Sequence, residues 1–343
     1  MSGFRNTLYV TVQGAYLAKD HENVQVRLEK EVRLSVPLHH LAGIVCFGRV
    51  SMSPDIVGEC AERAIEVSLL TQNGRFLGRI EGTGQGASVL RRAQYRAAES
   101  TTMTLALARS VVVGKVANAR STLQRAARES EDPGVAERIS NAATKLGNRR
   151  DGAIKAATVD EVRGHEGEAA AGYFAVFDDL IRKQRETFAF AGRNRRPPKD
   201  PMNALLSFLY ALLLHDASSA LQSVGLDPAV GFLHAERPGR PSLALDLMEE
   251  FRSFLADRTA VALVNLGQVK SSGFRKTETG AVEMDDATRK EVIGAYQRRK
   301  LEGIRHEFLS EETTVGLLMH VQARLLARTI RGDIDAYPPF HAR

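Results

Sequence analysis

The sequence predicts an α+β multidomain protein: a small, mostly β N-terminal domain over residues 1–85, then a larger all-α domain over residues 86–343. Three observations predict it. Apolar residues recur with a period near two up to about residue 80 and near 3.6 beyond it. The run Gly82-Thr83-Gly84-Gln85-Gly86 lies where the period changes, as a boundary segment would. Formal charge changes there too. The 343-residue chain has 47 basic and 41 acidic side chains, a net +6. Residues 1–85 hold nine of each, so the whole excess lies beyond the glycines. A hydrophobic share of 43% and a charged share of 26% are ordinary for a globular chain.

The β elements follow in order. Residues 7–12 are a run of strand formers, and residues 23–28 alternate polar and apolar. Residues 31–36 repeat that alternation before Pro37, and residues 43–48 read as a buried strand. Ser53-Pro54 opens a short helix, with the serine as N-cap and proline at the first helical position. Residues 64–70 form the next strand, and Asn73-Gly74 turns the chain into a strand over 76–80.

Helical periodicity then runs over residues 88–128, broken by Asp132-Pro133-Gly134. It resumes over 135–146, 159–183, 202–224, 243–256, 285–306 and 311–331, with proline and glycine in the connections. Cys46 and Cys60 are too few for a disulfide framework, which suits a reducing cytoplasm. The first residues carry no apolar leader core, and no stretch reaches the ~20 apolar residues of a membrane span.

The basic excess is clustered. Residues 88–128 hold eight Lys or Arg against Glu99 alone, and residues 181–199 hold seven against Glu186 alone. Such clusters suit a polyanion, because each cation near a phosphate releases condensed counterions. A solvated helix face accounts for them equally well. No phosphate-binding loop, dinucleotide fingerprint, HExxH, zinc-type Cys/His array or Gly-x-Ser-x-Gly elbow is present.

Three segments carry the remaining chemistry. In Arg163-Gly164-His165-Glu166-Gly167-Glu168, Glu166 stands between glycines at or near a helix start; an ordinary first-turn glutamate is the competing reading. Gly225-Leu226-Asp227-Pro228 leads through a turn-rich loop to His234. In the helix from Leu243, Asp246 is followed by Glu249 at i+3 and Glu250 at i+4, so either glutamate can share its face. Taken together, these carboxylates and an imidazole make a mixed O/N ligand set for Mg²⁺ or Mn²⁺.

At these residues the sequence resembles the CRISPR-associated Cas1 endonuclease family, the integrases of spacer acquisition. The resemblance is carried by Arg-Gly-x-Glu-Gly-x-Ala-Ala from Arg163 and by Arg-Pro-Pro-x-Asp-Pro-x-Asn-Ala-Leu-Leu-Ser-Phe-x-Tyr from Arg196. Gly-Leu-Asp-Pro-x-x-Gly-Phe-Leu-His follows from Gly225, and Ser-Leu-Ala-Leu-Asp-Leu-Met-Glu-Glu-Phe-Arg from Ser242. Lys115, Asn118 and Arg120 match a Lys-x-x-Asn-x-Arg element, and Ser271-Ser272-Gly273-Phe274, expected after a buried strand, looks most like the subtype I-C branch.

The resemblance implies a β domain followed by an α domain and a metal site of Glu166, His234 and Glu249. Glu249 stands where many members have aspartate, Asp246 is a supporting acid, and Glu250 is a lesser alternative. Tyr173 and Tyr210 fall near the site without a covalent role, and Tyr16 matches a strand-splitting aromatic. Lys115, Arg120, Arg195 and Arg196 are the expected phosphate contacts. His165 and His306 qualify as general bases by chemistry only. The expected activity is metal-dependent DNA cleavage and strand transfer at CRISPR repeats. The expected partners are DNA, a second copy of the chain through the β domain, and the small Cas2 protein in a hetero-hexamer. A non-catalytic DNA-binding scaffold and a metal-dependent hydrolase of a small phosphorylated substrate remain as alternatives.

Overall fold

The computed structural model describes residues 6–63, 65–71, 76–80, 86–194 and 197–342. The Asn73-Gly74 turn, residues 82–85 of the glycine run, and Arg195 and Arg196 lie outside the described residues.

The N-terminal region is β-rich, with strands β1 (Asn6–Val10), β2 (Tyr16–Asp20), β3 (Asn23–Leu28), β4 (Glu31–Pro37), β5 (Leu41–Phe47), β6 (Ser51–Met52), β7 (Glu66–Leu70) and β8 (Phe76–Ile80). Helix α1 (Pro54–Glu62) separates β6 from β7. The strands form two four-stranded sheets, ordered β1-β5-β7-β8 and β4-β3-β2-β6. In the first, β1, β5 and β7 are parallel and β8 runs against β7. In the second, β4, β3 and β2 are antiparallel and β6 lies parallel to β2. The predicted alternation is visible in β3. Val24 and Val26 enter the core, while Arg27 donates to Gln25 on the other face. Ser53 Oγ accepts from the Ile56 N–H, capping α1 as its sequence predicts. Ile56 and Cys60 then pack with Leu17, Ile44 and Val67. Burial pushes the Cys46 and Cys60 thiols up to about 12 and about 11, so both are unreactive.

The region beyond is helical: α2 (Gly86–Glu99), α3 (Thr101–Arg128), α4 (Pro133–Lys155), α5 (Val159–Ala175), α6 (Arg185–Phe188), α7 (Pro201–Ser223), α8 (Ser242–Met248), α9 (Arg258–Asn265), α10 (Asp286–Lys300) and α11 (Leu318–Arg331). Several boundaries differ from the sequence prediction. The helix expected over 88–128 is two, because Ser100 is extended and its Oγ accepts from Met103 N–H to cap α3. Where an all-α region was expected, two hairpins intervene: β9 (Phe274–Lys276) with β10 (Val282–Met284), and β11 (Gly303–His306) with β12 (Glu311–Thr314). They are too short to disturb a helical period read over longer windows. The strand expected before Ser271 is helix α9 instead.

Between α8 and α9 the chain tightens to a 3-10 turn (Glu249–Phe251) and then widens to a π-helical one (Arg252–Asp257). Helix α7 has the length and apolarity of a membrane span, with a mean hydropathy of 1.5 over its most apolar window, which the sequence reading did not expect. Its Leu205, Leu206, Leu209, Leu213 and Leu221 are buried within the helical core.

The two regions are joined by packing. Ser68 Oγ on β7 donates to the Ser223 carbonyl of α7 at 2.7 Å. His320 of α11 meets the rings of Tyr9 and Phe47 edge-on. Burial and nearby Lys300 push its imidazole down to about 3, so it is neutral.

Candidate catalytic centre

Asp246, one turn inside α8 and 1% exposed, organises the loop before it. Its Oδ2 accepts from the N–H groups of Phe232 and Leu233, and its Oδ1 accepts from the His234 N–H at 2.9 Å. The same Oδ1 lies 2.7 Å from His234 Nδ1. The carboxylate oxygen accepts in that contact, so Nδ1 carries a proton and Nε2 is the ring nitrogen turned away from Asp246. This loop needs a glycine at 231: a Cβ there would stand 2.8 Å from the Ser242 carbonyl carbon and 2.9 Å from Asp246 Oδ2. Arg163 of α5 completes the anchorage, donating from Nε to the Leu233 carbonyl at 2.8 Å.

Glu249 follows in the 3-10 turn and points at His234, its Oε1 lying 3.9 Å from Nε2. Arg252 is 2.9 Å from that same oxygen, and Lys115 Nζ of α3 is 2.7 Å from Oε2. Burial alone would raise the Glu249 carboxyl, but Arg252, Lys115 and His234 hold it down to about 2. Lys115 also pairs with Glu166 Oε1. One ammonium therefore joins carboxylates from α5 and from the turn after α8.

Glu166 itself lies in the middle of α5, not near its start. Thr158 is the N-cap, and the first-turn acids are Asp160 and Glu161, so the helix-dipole reading of Glu166 does not apply. Among the described residues, no three His, Cys, Asp or Glu side chains already converge on a common cation point. The donor set nevertheless fits a divalent cation. Two carboxylates already grip one ammonium, and an imidazole whose Nδ1 is held by Asp246 turns its Nε2 towards one of them.

Glu250 points the opposite way. Its carboxyl accepts from the Tyr337 hydroxyl, the Phe340 N–H and the Gln322 amide, and burial pushes it up to about 7. Asn118 closes the same region, donating to the Glu250 and Phe340 carbonyls and accepting from Ala342 N–H. Gly114 permits the approach, since a Cβ there would meet Pro339 Cβ at 2.7 Å.

Tyr210 donates to Asp257 at 2.7 Å and lies under the Arg193 and Arg252 guanidinium groups. Burial pushes Asp257 up to about 6. Tyr173, Tyr210, Asp257, Lys115 and Glu166 border one small cavity of about 50 Å³.

The structure thus brings Lys115, Glu166, His234, Asp246 and Glu249 together. Arg120 is not joined to them: it packs towards Gly147 of α4, and its Nε is buried without a hydrogen-bond partner among the described residues. His165 packs towards Gly152, and His306 is buried against Gln322. Tyr16 is exposed at the start of β2. The sequence reading missed Arg252, Asp257 and the loop-holding role of Arg163. Arg252 and Arg163 both stood inside the quoted motifs, and their spacing from Glu249 and Glu166 was the available signal.

The model of the family described as CRISPR associated protein Cas1 matches residues 8–298. The chain belongs to the Cas1 family. It is 52% identical over 335 residues, 98% of each chain, to "CRISPR-associated endonuclease Cas1 1" of Chlorobaculum tepidum. Two solved structures share the fold with a TM-score of 0.75. One is a casposase bound to integration product, 22% identical with 98% of this chain and 99% of that one covered. The other is a partial Cas6-RT-Cas1–Cas2 complex, 23% identical with 99% of each chain covered. These matches span the β-rich and helical regions alike.

Proposed function

We propose that this chain is a metal-dependent DNA endonuclease and integrase of CRISPR adaptation. In this reading a 3′-hydroxyl of a short DNA fragment attacks a phosphodiester at the repeat boundary and a strand is transferred; water in its place gives cleavage. The observation that carries the proposal is the shared cation between Glu166 and Glu249, with His234 Nε2 beside it, in a chain related over 98% of its length to a named endonuclease.

Glu166, His234 and Glu249 would hold Mg²⁺ or Mn²⁺. Such an ion polarises the phosphodiester and neutralises charge developing on the attacking and leaving oxygens. The protein's own groups prepare the place. Asp246 keeps the proton on His234 Nδ1, and Arg252 keeps Glu249 ionised. The exposed Arg125 and Arg128 of α3, with Arg195 and Arg196, offer charge to the DNA backbone.

Residues 1–85 act in this proposal as a domain for dimer and DNA-end contacts, and residues 86–343 as the catalytic domain. A homodimer joined to Cas2 is the assembly in which it works. The neutral balance of the β-rich region supports a protein-facing role for it, and the named Cas1–Cas2 complex among structures of this fold supports the partner.

A strand-transfer assay with Mn²⁺, with and without EDTA, tests the reading. Glu166→Gln and His234→Ala should abolish transfer while a mobility shift with branched DNA persists. Full transfer by either variant overturns the site. Binding without any EDTA-sensitive transfer marks a scaffold. Turnover of a small phosphate ester alone marks a hydrolase.

A further inference from the structure

A cavity of about 440 Å³ opens where the end of α3 meets the turn after α5, α9 and the end of α10. Its volume is that of a small-molecule site. Five arginines border it, and four are already paired: Arg125 and Arg182 with Glu129, Arg298 with Glu291, and Arg299 with Glu302. Arg258 differs. Among the described residues its side chain makes no ion pair and no hydrogen bond, and its guanidinium rests 5.7 Å from the Phe254 ring centroid. Burial, then the neighbouring Arg299 and Arg125, push it down to about 10, against the opposing pull of Glu302 and Glu129, which also border the cavity. Beside it Leu180, Val261, Ala262 and Leu266 form an apolar wall, and the Gln268 amide on the rim makes no side-chain hydrogen bond among the described residues.

A planar guanidinium with no direct carboxylate partner among the described residues matches a phosphate, and an adjoining apolar wall matches a flat ring. We propose that this cavity binds a nucleoside monophosphate unit, its phosphate on Arg258 and its base against Val261 and Ala262. Two sources share that chemistry, a free nucleotide and the terminal nucleotide of a DNA strand. Asp257 borders both this cavity and the one holding Lys115 and Glu166, so the two are neighbours. The assignment rests on the cavity, not on the integrase reading. Glu166→Gln is expected to lose strand transfer and keep nucleotide binding, so the two can fail separately.

Titration calorimetry of the full chain tests it with thymidine 5′-monophosphate, thymidine and inorganic phosphate, and with a duplex bearing a single-stranded 3′ overhang. The nucleotide should bind about tenfold more tightly than thymidine or phosphate. Arg258→Gln should weaken it about tenfold. Ala262→Phe, an exposed position on the wall, should abolish binding without removing a charge. Arg149→Gln on α4 should leave it unchanged. Thermal melts establish that each variant is folded. If the free nucleotide fails to bind but the overhang duplex is weakened by both cavity substitutions, the strand end is the source and the assignment stands. If phosphate binds as tightly as the nucleotide, or neither probe responds to the two substitutions, the assignment is overturned.

Discussion

Glu249 and Glu250 are consecutive, yet their carboxyl groups face opposite sides of one 3-10 turn and are held at about 2 and about 7. The first is surrounded by Arg252, Lys115 and His234. The second meets only neutral donors, from Tyr337, Phe340 and Gln322.

That contrast gives a paired test. Glu249→Gln is expected to abolish strand transfer, whereas Glu250→Gln should keep it within about threefold. Stability separates them as well. The Glu250 carboxyl titrates higher in the folded chain than in the unfolded one, so its contribution is full below pH 4.5 and is lost as pH rises through 7. Wild type should therefore lose urea resistance between pH 5 and 8 relative to Glu250→Gln. Parallel curves would contradict the burial of a protonated carboxyl.

Lys115 neutralises two carboxylates at once, so its removal leaves both exposed to their mutual repulsion. Lys115→Met should lower the unfolding free energy by about 3 kcal/mol in EDTA. Mn²⁺ should then raise the melting midpoint more in the variant than in wild type. An equal rise in both would mean that the ammonium and the metal do not compete.

Asp246→Asn leaves a single acceptor oxygen where four hydrogen bonds now converge. Metal affinity and strand transfer should each fall about 10–100-fold. Calorimetry with Mn²⁺ reads the first without reference to turnover, and unchanged affinity would remove Asp246 from the site.

His320 predicts an opposite pH response. Its folded pKa is depressed to about 3, so the unfolded chain takes up a proton first as pH falls below about 6.5. Stability should fall by about 1 kcal/mol per pH unit between pH 6 and 4. His320→Phe should remove that slope in the difference between the two proteins' urea midpoints.

Much of this was legible in the chain. The strand alternation of β3 and the Ser53-Pro54 cap follow from local rules, and the structure places both where the sequence did. The same holds for the separation of β-rich and helical regions. The resemblance carried by the motifs brought Glu166, His234 and Glu249 forward, and the fold gathers them with Asp246. The missing parts depend on contacts between distant segments. Nothing local distinguishes Glu249 from Glu250, because the choice is made by Gln322, Tyr337 and Phe340 and by Lys115 on α3. Ser100 looked like an interior helical residue because its capping bond needs only one rotated backbone angle. Lys115 reads as a phosphate contact because sequence shows a cation but not the carboxylates folded against it.

The tail that covers Glu250 also imposes an order in time. Asn118 and Glu250 are satisfied by Phe340 and Ala342, among the last described residues to leave the ribosome. Until they arrive, the turn carrying Glu249 lacks its backing, and a buried carboxyl beside it lacks most of its donors. A partly synthesised chain thus lacks the contacts that back the proposed centre, although every proposed ligand has already been made. Synthesis itself delays the proposed centre until residues 337–342 are in place.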